Sequence, residues 1–72
     1  MGNDERTKLE ALLNYWIEHN KEHSQEFREW ADRVKAFGEP ETGANMLQAA
    51  REMDKVSEIL SQTLSGLEGK ER

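Results

Sequence analysis

The sequence has no cysteine, a single proline, no long apolar run and no excess of basic residues, and each shortage removes a class of protein. Without cysteine there are no disulfides and no thiolate metal ligands, which fits an intracellular setting. No segment approaches the roughly 20 apolar residues of a membrane helix. The N-terminus lacks the organisation of a secretory signal. A myristoylation motif opening at Gly2 would need Ser or Thr where Arg6 stands. The net charge of −5 is spread as −2 over residues 1–38 and −3 over residues 39–72. No basic patch exists to neutralise phosphates or anionic lipid, so nucleic acid and membrane surfaces are excluded as partners. The expected setting is cytoplasmic.

What is present is helical. The 72 residues allow one small domain, 1–72, with an ordered core expected over 7–67. Residues 7–37 hold neither glycine nor proline, and Thr7-Lys-Leu-Glu10 has the form of a capping box. Leu9, Leu13, Trp16, Asn20, His23, Phe27, Trp30, Val34 and Phe37 follow each other at alternating steps of four and three. That spacing predicts one helix over 7–37, about 45 Å long at 1.5 Å per residue. Gly38-Glu-Pro-Glu-Thr-Gly43 punctuates the chain, with Gly38 suited to a helix C′ position and Pro40 preventing continuation. A second helix is expected over 43–67, with Met46, Ala49, Met53, Val56, Leu60, Thr63 and Leu67 as its stripe. Glu68 to Arg72 should fray.

Two long helices and a six-residue loop predict an all-α antiparallel hairpin. Trp30 is expected opposite Ala49 and Ala50, Trp16 near Leu64, and His23 near Asp54, Ser57 or Glu58. Leu12, Ile17, Ile59 and Leu64 widen both stripes beyond what one hairpin buries, so two hairpins are expected to form a homodimeric four-helix bundle. The alternative is a monomeric three-helix bundle with a break near 20–24 and Ser24 as an N-cap.

The chemically loaded segment is EHNKEHSQEF, residues 18–27. His19-Asn-Lys-Glu22-His23 spells H-x-x-E-H, a zinc-peptidase signature. That chemistry also needs a third ligand, an oxyanion stabiliser and a substrate cleft, which 72 residues cannot build, so an enzyme is not expected. His19, Glu22, His23 and Glu26 nevertheless share one helix face at i, i+3, i+4 and i+7. They form a candidate metal site, with zinc or nickel as candidate ions. The competing reading is packing, with Asn20 and His23 as polar seam residues that set register. Trp16, Asn20, Phe27 and Trp30 are the candidate interaction residues, and the aromatics at helical spacing are expected mainly in the core.

Trp16-Ile-Glu-His-Asn-x-x-His23, followed by Glu26-Phe27 and Trp30-Ala31, resembles a small helical domain family of bacteria and archaea whose function is unknown. Its signature has the form His-Trp-Ile-x-His-Asn-x-x-His-x-x-x-Phe-x-x-Trp-Ala. The resemblance covers residues 12–31 and singles out Trp16, His19, Asn20, His23, Phe27 and Trp30. Tyr15 stands where the signature has a first histidine. A three-rung histidine ladder would favour metal, and Tyr15 interrupts it. The expected function is a non-enzymatic interaction or accessory module that self-associates. Its first partner would be a second copy, with another protein as the other candidate. The alternative is a metal-binding or metal-sensing bundle using His19 and His23.

Overall fold

The computed structural model describes residues 2–69, with side chains from residue 4 onward. Helix α1 spans Gly2–Ala36 and α2 spans Pro40–Gly69. The two pack along their lengths as an antiparallel hairpin, a rod whose Cα atoms extend 55 × 15 × 11 Å. α1 runs unbroken through residues 20–24, so the three-helix alternative is excluded: Ser24 lies in mid-helix and caps nothing. Nothing in the local sequence forces a break there, and i to i−4 bonding continues through it.

The turn is tighter than expected. Gly38 takes φ +93°, the left-handed region open to glycine. Its N–H donates to the Lys35 carbonyl at 3.1 Å, and the Glu39 N–H donates to the Val34 carbonyl at 2.9 Å. These two bonds make a Schellman cap, satisfying carbonyls that the end of α1 would otherwise leave free. Glu39 then accepts from the Gly43 N–H at 3.1 Å, so Pro40 is the first residue inside α2. Proline suits that place because its missing N–H has no intrahelical partner there. The expected six-residue loop therefore shrinks to residues 37–39. The capping box at Thr7 is also not used, because α1 already begins at Gly2. The early start has a role: Arg6 reaches across to the Leu67 carbonyl at 3.5 Å, near the end of α2, where the last turn carries no basic residue of its own. The fraying expected of Glu68 to Arg72 is not seen at Glu68 and Gly69, and residues 70–72 lie outside the described residues.

The seam between the helices keeps every other residue of the expected stripes and shifts the alternate ones by one. Leu13, Ile17, Ser24, Ala31 and Val34 are buried on α1, with Asn20 and Phe27 half-buried between them. On α2 Gly43, Ala50 and Ser57 are buried, flanked along the same line by Met46, Met53, Leu60, Leu64 and Leu67. Both lines keep the alternation of four and three. Trp16, His23 and Trp30 give way to Ile17, Ser24 and Ala31; Ala49, Val56 and Thr63 give way to Ala50, Ser57 and Leu64. The physical reason is size. Gly43, Ala31, Ala50, Ser24 and Ser57 let the backbones approach closely, and a bulky ring in that line would hold them apart. At Gly43 the approach is closest: an added Cβ would stand 2.9 Å from the Ala31 carbonyl oxygen.

Candidate functional site

With small residues at the closest approaches of the seam, a second set of large apolar side chains is left outside it. Leu9, Leu12, Trp16, Trp30, Phe37, Val56 and Ile59 are all exposed, Trp16 at 39%, Trp30 at 49% and Ile59 at 60%. Leu9, Trp16, Trp30 and Phe37 are spaced as multiples of seven and fall on the flank one residue before the α1 seam. Val56 lies one residue before the α2 seam, with Ile59 just beyond it. Because α1 and α2 are both right-handed and run in opposite directions, these two flanks face the same side of the hairpin. The opposite flank confirms the geometry. Arg28 and Asp54 each follow a seam residue by one position, and Arg28 Nη2 meets Asp54 Oδ2 at 2.8 Å. One side of the rod therefore carries the exposed large apolar side chains, with Glu26 and Arg33 among them, and the other carries the Arg28–Asp54 pair.

Four aromatic rings climb α1 at steps of four. Tyr15 stacks on His19 with centroids 5.5 Å apart, His19 meets His23 edge to face at 4.4 Å, and His23 stacks on Phe27 at 5.9 Å. His19 and His23 bring their Nε2 atoms to 2.9 Å, a hydrogen bond in which one nitrogen donates and the other accepts. His23 turns its other nitrogen, Nδ1, toward Glu26 Oε1 at 3.4 Å. A proton on His23 Nδ1 leaves its Nε2 as the acceptor, with His19 as the donor. His23 occupies the midpoint of the series Leu9, Trp16, His23, Trp30, Phe37, so the histidine pair sits in the middle of the apolar face. Arg33 lies over the Trp30 ring at 4.8 Å and covers part of it.

On the charged flank, Ser24 Oγ accepts from Arg28 Nη1 at 2.6 Å and donates to Asp54 Oδ1 at 2.6 Å, with the Ala50 carbonyl 3.3 Å away. The Ser24 hydroxyl, and after it the Arg28 guanidinium, holds the Asp54 carboxyl below its ordinary value of 3.8. This network ties α1 to α2 at the level of the buried Ser24 and fixes their register.

Of the residues singled out by sequence, the structure brings His19 and His23 together and adds Glu26 on the far side of the His23 ring. Glu22 is exposed, and among the described residues nothing joins it to either ring. No group of three or more His, Asp or Glu converges as a metal cage among the described residues. Asp54, expected beside His23, is held by Ser24 and Arg28 instead. Trp16 and Trp30 lie on the exposed face rather than in the core, whereas Asn20 and Phe27 edge the seam. Arg28 escaped the sequence reading. Its signal was its place four residues after a serine on a seam.

The chain matches the profile of a family described as a domain of unknown function, DUF8180, over residues 9–67. It is 37% identical over 57 residues to an uncharacterized protein of Archaeoglobus fulgidus, covering 79% of this chain and 90% of that relative. No solved structure matches it.

Proposed function

The chain belongs to the DUF8180 family, and we propose that it is a non-enzymatic interaction module whose apolar face pairs with the same face of a second copy, forming a four-helix bundle. The observation that carries this reading is the division of labour between side chains. The hairpin closes on Gly43, Ala31, Ala50, Ser24 and Ser57 together with Leu13, Ile17 and Val34, while Trp16, Trp30, Phe37, Val56 and Ile59 stand exposed. The elongated hairpin exposes 5478 Å², more than the ~4,600 Å² of a compact monomer of 8.4 kDa, so a second copy has surface to cover.

The non-enzymatic part rests on shape. The chemistry-bearing His19 and His23 project from a helix flank, and a two-helix rod whose Cα atoms span only 15 × 11 Å across offers little depth in which to enclose a substrate. No helix among the described residues is long and apolar enough to cross a membrane. A cytoplasmic site of action fits the absence of cysteine.

Sedimentation over a concentration series tests the reading, with Val56→Lys/Ile59→Lys as the paired variant. Both positions are exposed in the hairpin, so the variant should keep its helix content and lose stability by no more than about 0.5 kcal/mol per site as an isolated chain. In a bundle the two lysines would face apolar surface, and the dimer should weaken by two orders of magnitude or more, about 3 kcal/mol. A wild-type chain that stays monomeric at ~1 mM would overturn the proposal, since that excludes even an association of about 4 kcal/mol.

A further inference from the structure

The geometry points to His19 and His23 as a bidentate site for a late first-row divalent cation, completed by the same pair from a second copy. This rests on the self-association reading and adds a ligand to it. Two imidazole nitrogens that bind one tetrahedral ion at about 2.05 Å stand about 3.3 Å apart. The Nε2 atoms of His19 and His23 are 2.9 Å apart, so a small rotation of the rings brings them to that spacing. Coordination needs His19 to carry its proton on Nδ1 instead of Nε2, which leaves the ring neutral and frees the second lone pair. His23 is prepared: Glu26 at 3.4 Å favours the proton on Nδ1, the carboxylate–histidine pairing that orients metal-ligating rings. Imidazole donors without thiolate suit Zn²⁺, Ni²⁺ or Cu²⁺.

One chain supplies only half a shell, because no third protein ligand converges on the pair among the described residues. The other half follows from position. His23 is the midpoint of Leu9, Trp16, His23, Trp30 and Phe37, and this series lies along the exposed face. A twofold axis level with the two Nε2 atoms, between His19 and His23, would set α1 antiparallel to its copy, with each His19 beside the copy's His23. Four imidazoles then surround one point inside an apolar interface. Water is excluded there, and the ion becomes a link between the two hairpins.

The test adds Zn²⁺, Ni²⁺ and Co²⁺ separately to metal-free protein and reads stoichiometry by native mass spectrometry, affinity by calorimetry and assembly by sedimentation. His19→Ala, His23→Ala and Glu26→Gln are run beside it. The rings point outward, so these variants should retain wild-type helicity by circular dichroism. The expected result is one ion per two chains and a shift toward dimer on metal addition. Saturable binding should be lost in either histidine variant, and affinity should fall about tenfold in Glu26→Gln. Binding that survives both alanine variants, or one ion per chain with no change in mass, would overturn the shared site. A dimer that forms but takes up no ion sinks this inference and leaves self-association standing. A chain that is monomeric alone and dimeric with metal supports the shared site and overturns metal-free pairing.

Discussion

Gly43→Ala and Gly66→Ala make the same chemical change on the same helix, and their surroundings separate them. A methyl group on Gly43 would stand 2.7 Å from Lys35 Cγ and 2.9 Å from the Ala31 carbonyl oxygen. The lysine stem can swing aside. The carbonyl is part of the α1 backbone and yields only if the helices part. A methyl group on Gly66 meets nothing within 4 Å. Both variants gain the helix propensity of alanine over glycine, up to about 1 kcal/mol. At Gly66 that gain is the whole effect. At Gly43 it is set against overpacking of about 1–3 kcal/mol, leaving a net loss of up to about 2 kcal/mol. In a domain of this size 1 kcal/mol moves Tm by about 4–8 °C. Gly66→Ala should therefore melt a few degrees above the wild type, and Gly43→Ala below it by up to roughly 15 °C. Far-UV circular dichroism melts at one matched protein concentration provide the comparison, because the proposed association would make Tm depend on concentration. If Gly43→Ala melts as high as Gly66→Ala, the close crossing of α2 over Ala31 is wrong. The small-residue account of the seam would fail with it.

Two further perturbations probe the polar groups of the hairpin. Ser57 is buried and among the described residues its hydroxyl has no hydrogen-bond partner, so Ser57→Ala should raise stability by up to about 1 kcal/mol in urea titrations; a clear loss would mean that the hydroxyl has a partner. The Asp54 carboxyl lies below its ordinary 3.8 because Ser24, then Arg28, hydrogen-bonds its charged form. A depressed folded-state pKa contributes stability above the ordinary value and loses it as pH falls through the folded one. Asp54→Asn should therefore melt below the wild type at neutral pH, and the gap should close as the pH falls below 3.8 and through the folded-state value. A gap that is unchanged between neutral pH and acid would show that the charge of Asp54 contributes nothing.

The helical class, the hairpin and the turn at Gly38 were legible because each has a local cause. A stretch free of glycine and proline, an alternation of four and three, and a glycine ahead of Pro40 act within a few residues of themselves. The start of α2 was misjudged for a related reason: Pro40 stops one helix and opens the next, and sequence alone shows both roles equally. The His19–His23 contact was also legible, since i, i+4 partners meet on any helix. The Ser24–Arg28–Asp54 network was not, because its two halves lie on different helices and their meeting depends on the seam.

The seam itself shows why periodicity misplaced the aromatic residues. Two adjacent lines on α1 have the same spacing, one through Trp16, His23 and Trp30 and the other through Ile17, Ser24 and Ala31. Hydropathy and size favour the first line. Close approach of two helices favours the second, because the atoms that touch across it belong partly to backbone, as the Ala31 carbonyl beside Gly43 does. Small residues contribute little to an apolar pattern, yet they decide which way a helix turns toward its neighbour. The pattern therefore measures how much apolar surface a helix carries and not which surface hides it. Trp16 and Trp30 belong to a stripe as regular as the seam, on the same helix, facing outward at 39% and 49% exposure. A second regular stripe of this kind costs solvation in a lone hairpin, and pairing with another helical layer is the arrangement that would remove the cost.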